Sequence, residues 1–203
     1  MPETAPSIGA HLSRTLALTV TEVFAPTVLV GVFLLAQPLL TPGATWLQSV
    51  TAMVFTVGLP FALLLWLKHR GAVTDHHISV REDRAPVMAF AALSLGIGAL
   101  LLVHLGAPAG LFGAIGAIGA VFVGLVLCLL VNLVWKLSVH SAVAAYIALA
   151  LLAPVPALGP ALALLLASAV GWSRIRVGAH SPGQVLAGHA VGCLVFAVSL
   201  LLP

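Results

Sequence analysis

The chain has 203 residues, 62% of them hydrophobic and 6% charged, with 8 Lys and Arg against 5 Asp and Glu and a net charge of +3. A mean hydropathy of +1.21 excludes an ordinary soluble domain and predicts a single-domain, all-α, polytopic membrane helical bundle among membrane lipids. So few charges also exclude a nucleic-acid surface. The first residues carry Pro2, Glu3 and Pro6 and no basic start, so no cleaved leader is expected. Seven apolar runs follow, at roughly 15–36, 46–67, 86–105, 111–134, 140–158, 161–172 and 184–202. They predict about six or seven transmembrane helices. Pro154, Pro156 and Pro160 crowd the junction of the fifth and sixth runs, which are therefore expected to tilt or to recess their polar ends. Gly188 and Gly192 form a G-x-x-x-G in the last run, a small-residue face for close packing in lipid. Cys128 and Cys193 lie inside apolar runs and give no disulfide framework.

Alternating the runs across a bilayer sorts the connections onto two faces. Those near 37–45, 106–110 and 154–160 contain no Lys, Arg, Asp or Glu. Arg14, Lys68, Arg70, Arg81, Arg84, Lys136, Arg174 and Arg176 all fall on the other face, with Asp75, Glu82, Asp83 and five histidines. The positive-inside rule places that face in the cytoplasm of a multi-pass cell-membrane protein. Glu22 alone among the carboxylates lies within a run.

Three clusters carry the polar chemistry. The first, 68–86, contains His77, Arg81 and Arg84 after Thr74 and Asp75, either of which can cap a short interfacial helix. His76 and His77 diverge on a helix and have no second ligand pair, so no metal or other cofactor is expected. A solvated loop whose basic residues hold topology accounts for Lys68 and Arg70 equally well. The second cluster, 135–141, offers Lys136, a Ser138 N-cap and His140 at a helix start.

The third cluster, 173–184, sets Arg174 six residues before His180 and follows with Ser181-Pro182, an N-cap and a first-turn proline. Gln184, three residues after Ser181, completes a capping box. A histidine at an anion-favouring helix N-terminus, with a guanidinium fork nearby, suits phosphoryl transfer. A polar loop that stops one helix and caps the next is the competing reading.

Ser173-Arg174, five residues and His180 resemble the S-R-x5-H signature of the type 2 phosphatidic acid phosphatase superfamily, membrane lipid-phosphate phosphatases related to soluble vanadium haloperoxidases. Ser138-Val139-His140 is similar to that family's P-S-G-H signature, and Arg84 before Pro86 to the end of its first signature, whose lysine position falls on His77. Gln184 departs from the pattern, which has aspartate there.

The resemblance implies His180 as nucleophile, His140 as general acid and Gln184 as the group orienting His180. Arg174, Arg84, Arg81, Ser138, Lys136 and His77 would hold the phosphate, with no metal. The implied substrate is a lipid or polyprenyl phosphate or pyrophosphate. Two other readings stand beside hydrolysis. One is a transporter or lipid-binding protein with an anion site, which Glu22 favours as an intramembrane carboxylate. The other is a phosphotransferase that passes the phosphoryl group to an alcohol. A homo-oligomer is left open.

Overall fold

The structure, a computed structural model, describes residues 8–71, 84–152 and 155–201, and the regular elements among them are all helical. Each of the seven apolar runs carries helix, giving the helical membrane bundle expected from composition. The first run holds α1 (Ile8–Val23) and α2 (Pro26–Leu35), bent by 41° relative to each other. Pro26 causes the break, because its ring forces Ala25 into extended backbone (φ −60, ψ 146) and it has no N–H to continue the helix. A short α3 (Gln37–Leu40) leads to α4 (Trp46–Met53), which Thr45 and Gln48 start with a capping box.

The second run is continuous but not regular. Between α4 and α5 (Leu59–His69) lies a π turn, Val54–Gly58, in which the Leu59 amide bonds to the Val54 carbonyl five residues back. Pro60 explains it: without an N–H it cannot bond to residue 56, and its ring pushes that carbonyl aside, so the ladder slips by one residue. The Ser94 hydroxyl donates to the Phe55 carbonyl within this turn.

Then come α6 (Arg84–His104), α7 (Ala114–Val134), α8 (Val139–Leu152), α9 (Gly159–Arg176) and α10 (Pro182–Ser199). Four stretches are long and apolar enough to span a bilayer by themselves: Trp46–His69, Pro86–His104, Ala114–Val134 and Pro182–Ser199. The bent α1–α2 pair makes a fifth. Four or five helices among the described residues are thus long and apolar enough to span, and two more of the expected bundle of about six or seven do not meet that test. One is α8, whose 14 residues reach about 21 Å, short of a hydrocarbon core about 30 Å thick. The other is α9, which carries Arg174 and Arg176 in its last turn.

Both depart from the boundaries read in the sequence. Helix α8 stops at Leu152, ahead of Pro154, six residues before the end of its apolar run. Helix α9 runs four residues past Trp172, because the polar residues there find partners inside the bundle: the Ser173 hydroxyl donates to the Val170 carbonyl at 2.7 Å, and Arg174 reaches α1.

The core forms around α8, which packs most extensively on α10 and α9 and also touches α2. Its buried positions are mostly alanine, so neighbouring backbones come close. The predicted small-residue face of α10 takes part. A Cβ on Gly188 would stand 2.4 Å from the Ser138 carbonyl oxygen, and one on Gly192 2.3 Å from that of Ala142. This equal spacing of four residues along both chains makes α8 and α10 parallel neighbours that start on the same face. The sorting of connections onto two faces also holds. Arg176 Nε donates to Ser13 Oγ at 2.8 Å on the polar face, while on the bare face the Gln48 amide donates to the Leu105 carbonyl at 3.1 Å and Thr41 to that of Phe112.

Candidate active site

The start of α10 is built as its sequence predicts. Ser181 is extended (φ −78, ψ 160); its Oγ accepts from the Gln184 amide at 3.4 Å, and Gln184 Oε1 accepts from the Ser181 amide at 3.2 Å. The same Oε1 lies 3.2 Å from Nδ1 of half-buried His180. These contacts settle the protonation pattern by elimination. An atom that accepts from a backbone N–H must be the amide oxygen, so the ring nitrogen facing it must be the donor. His180 Nδ1 therefore carries a proton, and in the neutral ring the lone pair is on Nε2.

His180 is placed by α9. The chain leaves that helix through Gly178, whose φ of +77 lies in the left-handed region that glycine adopts without strain. The turn brings both the Ala179 and His180 amides onto the Arg174 carbonyl, at 3.1 and 3.2 Å. The nucleophile candidate and the arginine candidate are thus joined through the backbone.

Arg174 is buried, 6% exposed, which a guanidinium tolerates only with polar partners. Its Nη1 donates to Thr21 Oγ1 at 3.4 Å, and Thr21 Oγ1 lies 3.1 Å from Ser173 Oγ. Ser173 has one proton and gives it to the Val170 carbonyl, so Thr21 must donate to Ser173 and accept from Arg174. The chain of donors runs from Arg174 to Thr21, to Ser173, to the α9 backbone. Thr21 was not visible as a site residue in the sequence.

The third contributor is the start of α8. Ser138 is fully buried, and its Oγ accepts from the Ser141 amide at 3.3 Å and lies 2.9 Å from Ser141 Oγ, the N-cap predicted for it. Its own amide donates to the Gln184 carbonyl at 3.1 Å, which fixes α8 to the first turn of α10. His140, two residues on, is buried at 7% exposure. Lys136 is half-buried in the connection from α7, where Trp135 lies over Gly183. The α8 start is recessed along α10, as the short helix and the Gly188 contact require.

Hydrogen bonds therefore link the stretches carrying His180, Gln184, Arg174 and Ser138, and His140 lies one residue beyond Val139 on the same turn as Ser138. The first cluster does not enter this picture: His77 and Arg81 lie outside the described residues, and Arg84 is described only as the first residue of α6. Among the described residues, no three His, Cys, Asp or Glu side chains gather as a metal-binding group.

Residues 120–203 match the model of the PAP2 superfamily. The matched range covers most of α7 and all of α8, α9 and α10, and so every candidate above except Thr21 and those of the first cluster. No curated protein and no solved structure matches the chain.

Proposed function

We propose, from the match of residues 120–203 to the PAP2 superfamily, whose members are in general phosphatase-type hydrolases, that this membrane protein hydrolyses a lipid or polyprenyl phosphate or pyrophosphate. The reaction proceeds in two displacements at phosphorus. His180 Nε2 attacks, a P–N bond forms, the bond to the lipid oxygen breaks, and His140 gives the leaving alkoxide its proton. Water then attacks the phosphohistidine, His140 takes its proton, and inorganic phosphate leaves with His180 restored.

The observation that carries this reading is the double use of Gln184 Oε1, which accepts from Ser181 and from His180 Nδ1. It aims a lone pair away from the capping contact, as an attacking imidazole needs. Arg174 supplies two-point recognition of the non-bridging oxygens, and the amides at the α8 start, with Ser138 and Lys136, add positive field to a charge that grows in the transition state. Arg84, Arg81 and His77 are proposed as further phosphate ligands from the first cluster. The active face is proposed to lie in the cytoplasm, by its share of Lys and Arg.

Glu22, the feature favouring a transporter, follows Thr21 on α1 and so stands next to the residue that holds Arg174. Its side chain is exposed, whereas that of Thr21 is buried, so it does not mark an ion pathway through the bundle interior. Phosphate release by the purified full chain from a panel of lipid phosphates tests the proposal; transport with no release would favour the other class.

A further inference from the structure

His189 lies inside the last apolar run, seven residues into α10, about 10 Å below the start of that helix. The two-displacement scheme does not use it. A histidine in an apolar bundle needs a polar partner, and this one finds it on the neighbouring helix. Nε2 of half-buried His189 lies 3.0 Å from the Ala167 carbonyl oxygen on α9. A carbonyl only accepts, so Nε2 carries the proton and donates it to α9. That carbonyl has two lone pairs, so the contact costs α9 no backbone bond.

Gly171 makes the contact possible. A Cβ there would stand 3.0 Å from His189 Cε1 and 2.7 Å from Cγ1 of Val185, one turn earlier on α10. The ring and the valine therefore rest directly on the α9 backbone. The pairing runs antiparallel, 167 with 189 and 171 with 185. Ala167, Gly171 and Arg174 follow one another at spacings of four and three, so they share one stripe of α9, and all three are buried. The stripe that His189 grips is the stripe that carries Arg174. On α10, Val185 directly follows Gln184, whose Oε1 meets His180.

From these contacts we propose that His189 is a positioning residue for phosphoryl transfer. It holds the Arg174 stripe of α9 against the start of α10, and so sets the guanidinium relative to the attacking His180. The turn at Gly178 ties the two groups at the polar end, where the Ala179 and His180 amides meet the Arg174 carbonyl. One point of attachment leaves a pivot, and a second, deeper point fixes the angle. The inference rests on the phosphatase reading for the meaning of that placement, and adds to it a residue that touches no substrate.

The test compares the native full chain, purified in detergent, with His189→Leu and His189→Gln. Leucine removes the donor, whereas glutamine keeps one on a side chain of similar reach. Turnover of a short-chain lipid phosphate is read as kcat and KM, and the hold on α9 as hydrogen exchange at amides 171–176. In His189→Leu, kcat should fall about tenfold or more while KM stays within about twofold, because a small displacement harms the reacting geometry more than ground-state binding. Exchange at 171–176 should quicken in the same variant. His189→Gln should return both towards native. Native kcat in His189→Leu, whatever its melting temperature, would overturn the inference, as would a loss that glutamine does not restore in part. Should the native chain release no phosphate, the phosphatase reading falls by itself. Faster exchange in His189→Leu, reversed in His189→Gln, would then still sustain the clamp, and unchanged exchange would overturn it.

Discussion

His180 Nδ1 lies 3.2 Å from Gln184 Oε1, and the oxygen it meets also closes the capping box on Ser181. One side-chain atom therefore starts a helix and sets the tautomer of the proposed nucleophile. The family's aspartate at this position would supply charge as well as orientation; glutamine supplies orientation alone. Gln184→Leu should cost about 1 kcal/mol of stability through the lost cap. It should also lower turnover by as much as about 10⁴-fold, the cost of a wrong tautomer in a serine protease triad. Gln184→Glu keeps the reach and adds charge, so turnover should be preserved or raised. Unchanged kcat in Gln184→Leu would reduce the residue to a cap.

Thr21 holds Arg174 from the other end of the chain, 153 residues away. Thr21→Val keeps the volume and removes the acceptor. It should raise KM for a lipid phosphate about five- to tenfold, with a smaller change in kcat, and Thr21→Ser should restore binding. A native KM in Thr21→Val would remove Thr21 from the phosphate site.

Gly188 lets α10 approach the carbonyl of Ser138. In Gly188→Ala a new methyl group would meet that oxygen at 2.4 Å, so α8 must move, and His140 with it. Activity should fall at least tenfold, since small displacements of catalytic groups are costly. Gly119→Ala on α7, where a Cβ meets nothing within 4 Å, should leave activity near native. Similar activities in the two variants would contradict the packing argument.

Much of this arrangement was legible before any coordinates. Apolar runs gave the helices, Ser138 and Ser181 marked two helix starts, Gln184 announced its capping box, and Gly188 with Gly192 announced a close contact. Each of those signals is local, a matter of residues within one or two turns. Thr21 was hidden because its meaning depends on partners more than 150 residues away, and a threonine in an apolar run has no pattern of its own. Ser173 and Arg174 read as loop because polar residues end apolar runs; tertiary partners kept them helical. The π turn was equally silent, although Pro60 is its visible cause.

The proposed orientation rests on the charge of one face. With Cys128 and Cys193 replaced, a cysteine at Pro42 should react in intact cells with a membrane-impermeant thiol reagent, and one at Lys68 only after permeabilisation. Both positions are exposed. The opposite labelling pattern would place the active face outside.

His140 and His180 should fail differently. His140→Ala should impair lipid substrates most, and those with a good leaving group least, because the latter need little proton transfer. A uniform loss would deny His140 the role of general acid.

The most direct measurement is acid-quench trapping with a lipid substrate labelled at phosphorus, followed by mapping of the labelled peptide. Label on His180 in the native protein, absent in His180→Ala, is the expected result. Phosphate release with no label on His180, or near-native release by His180→Ala, would contradict a phosphohistidine formed at that residue.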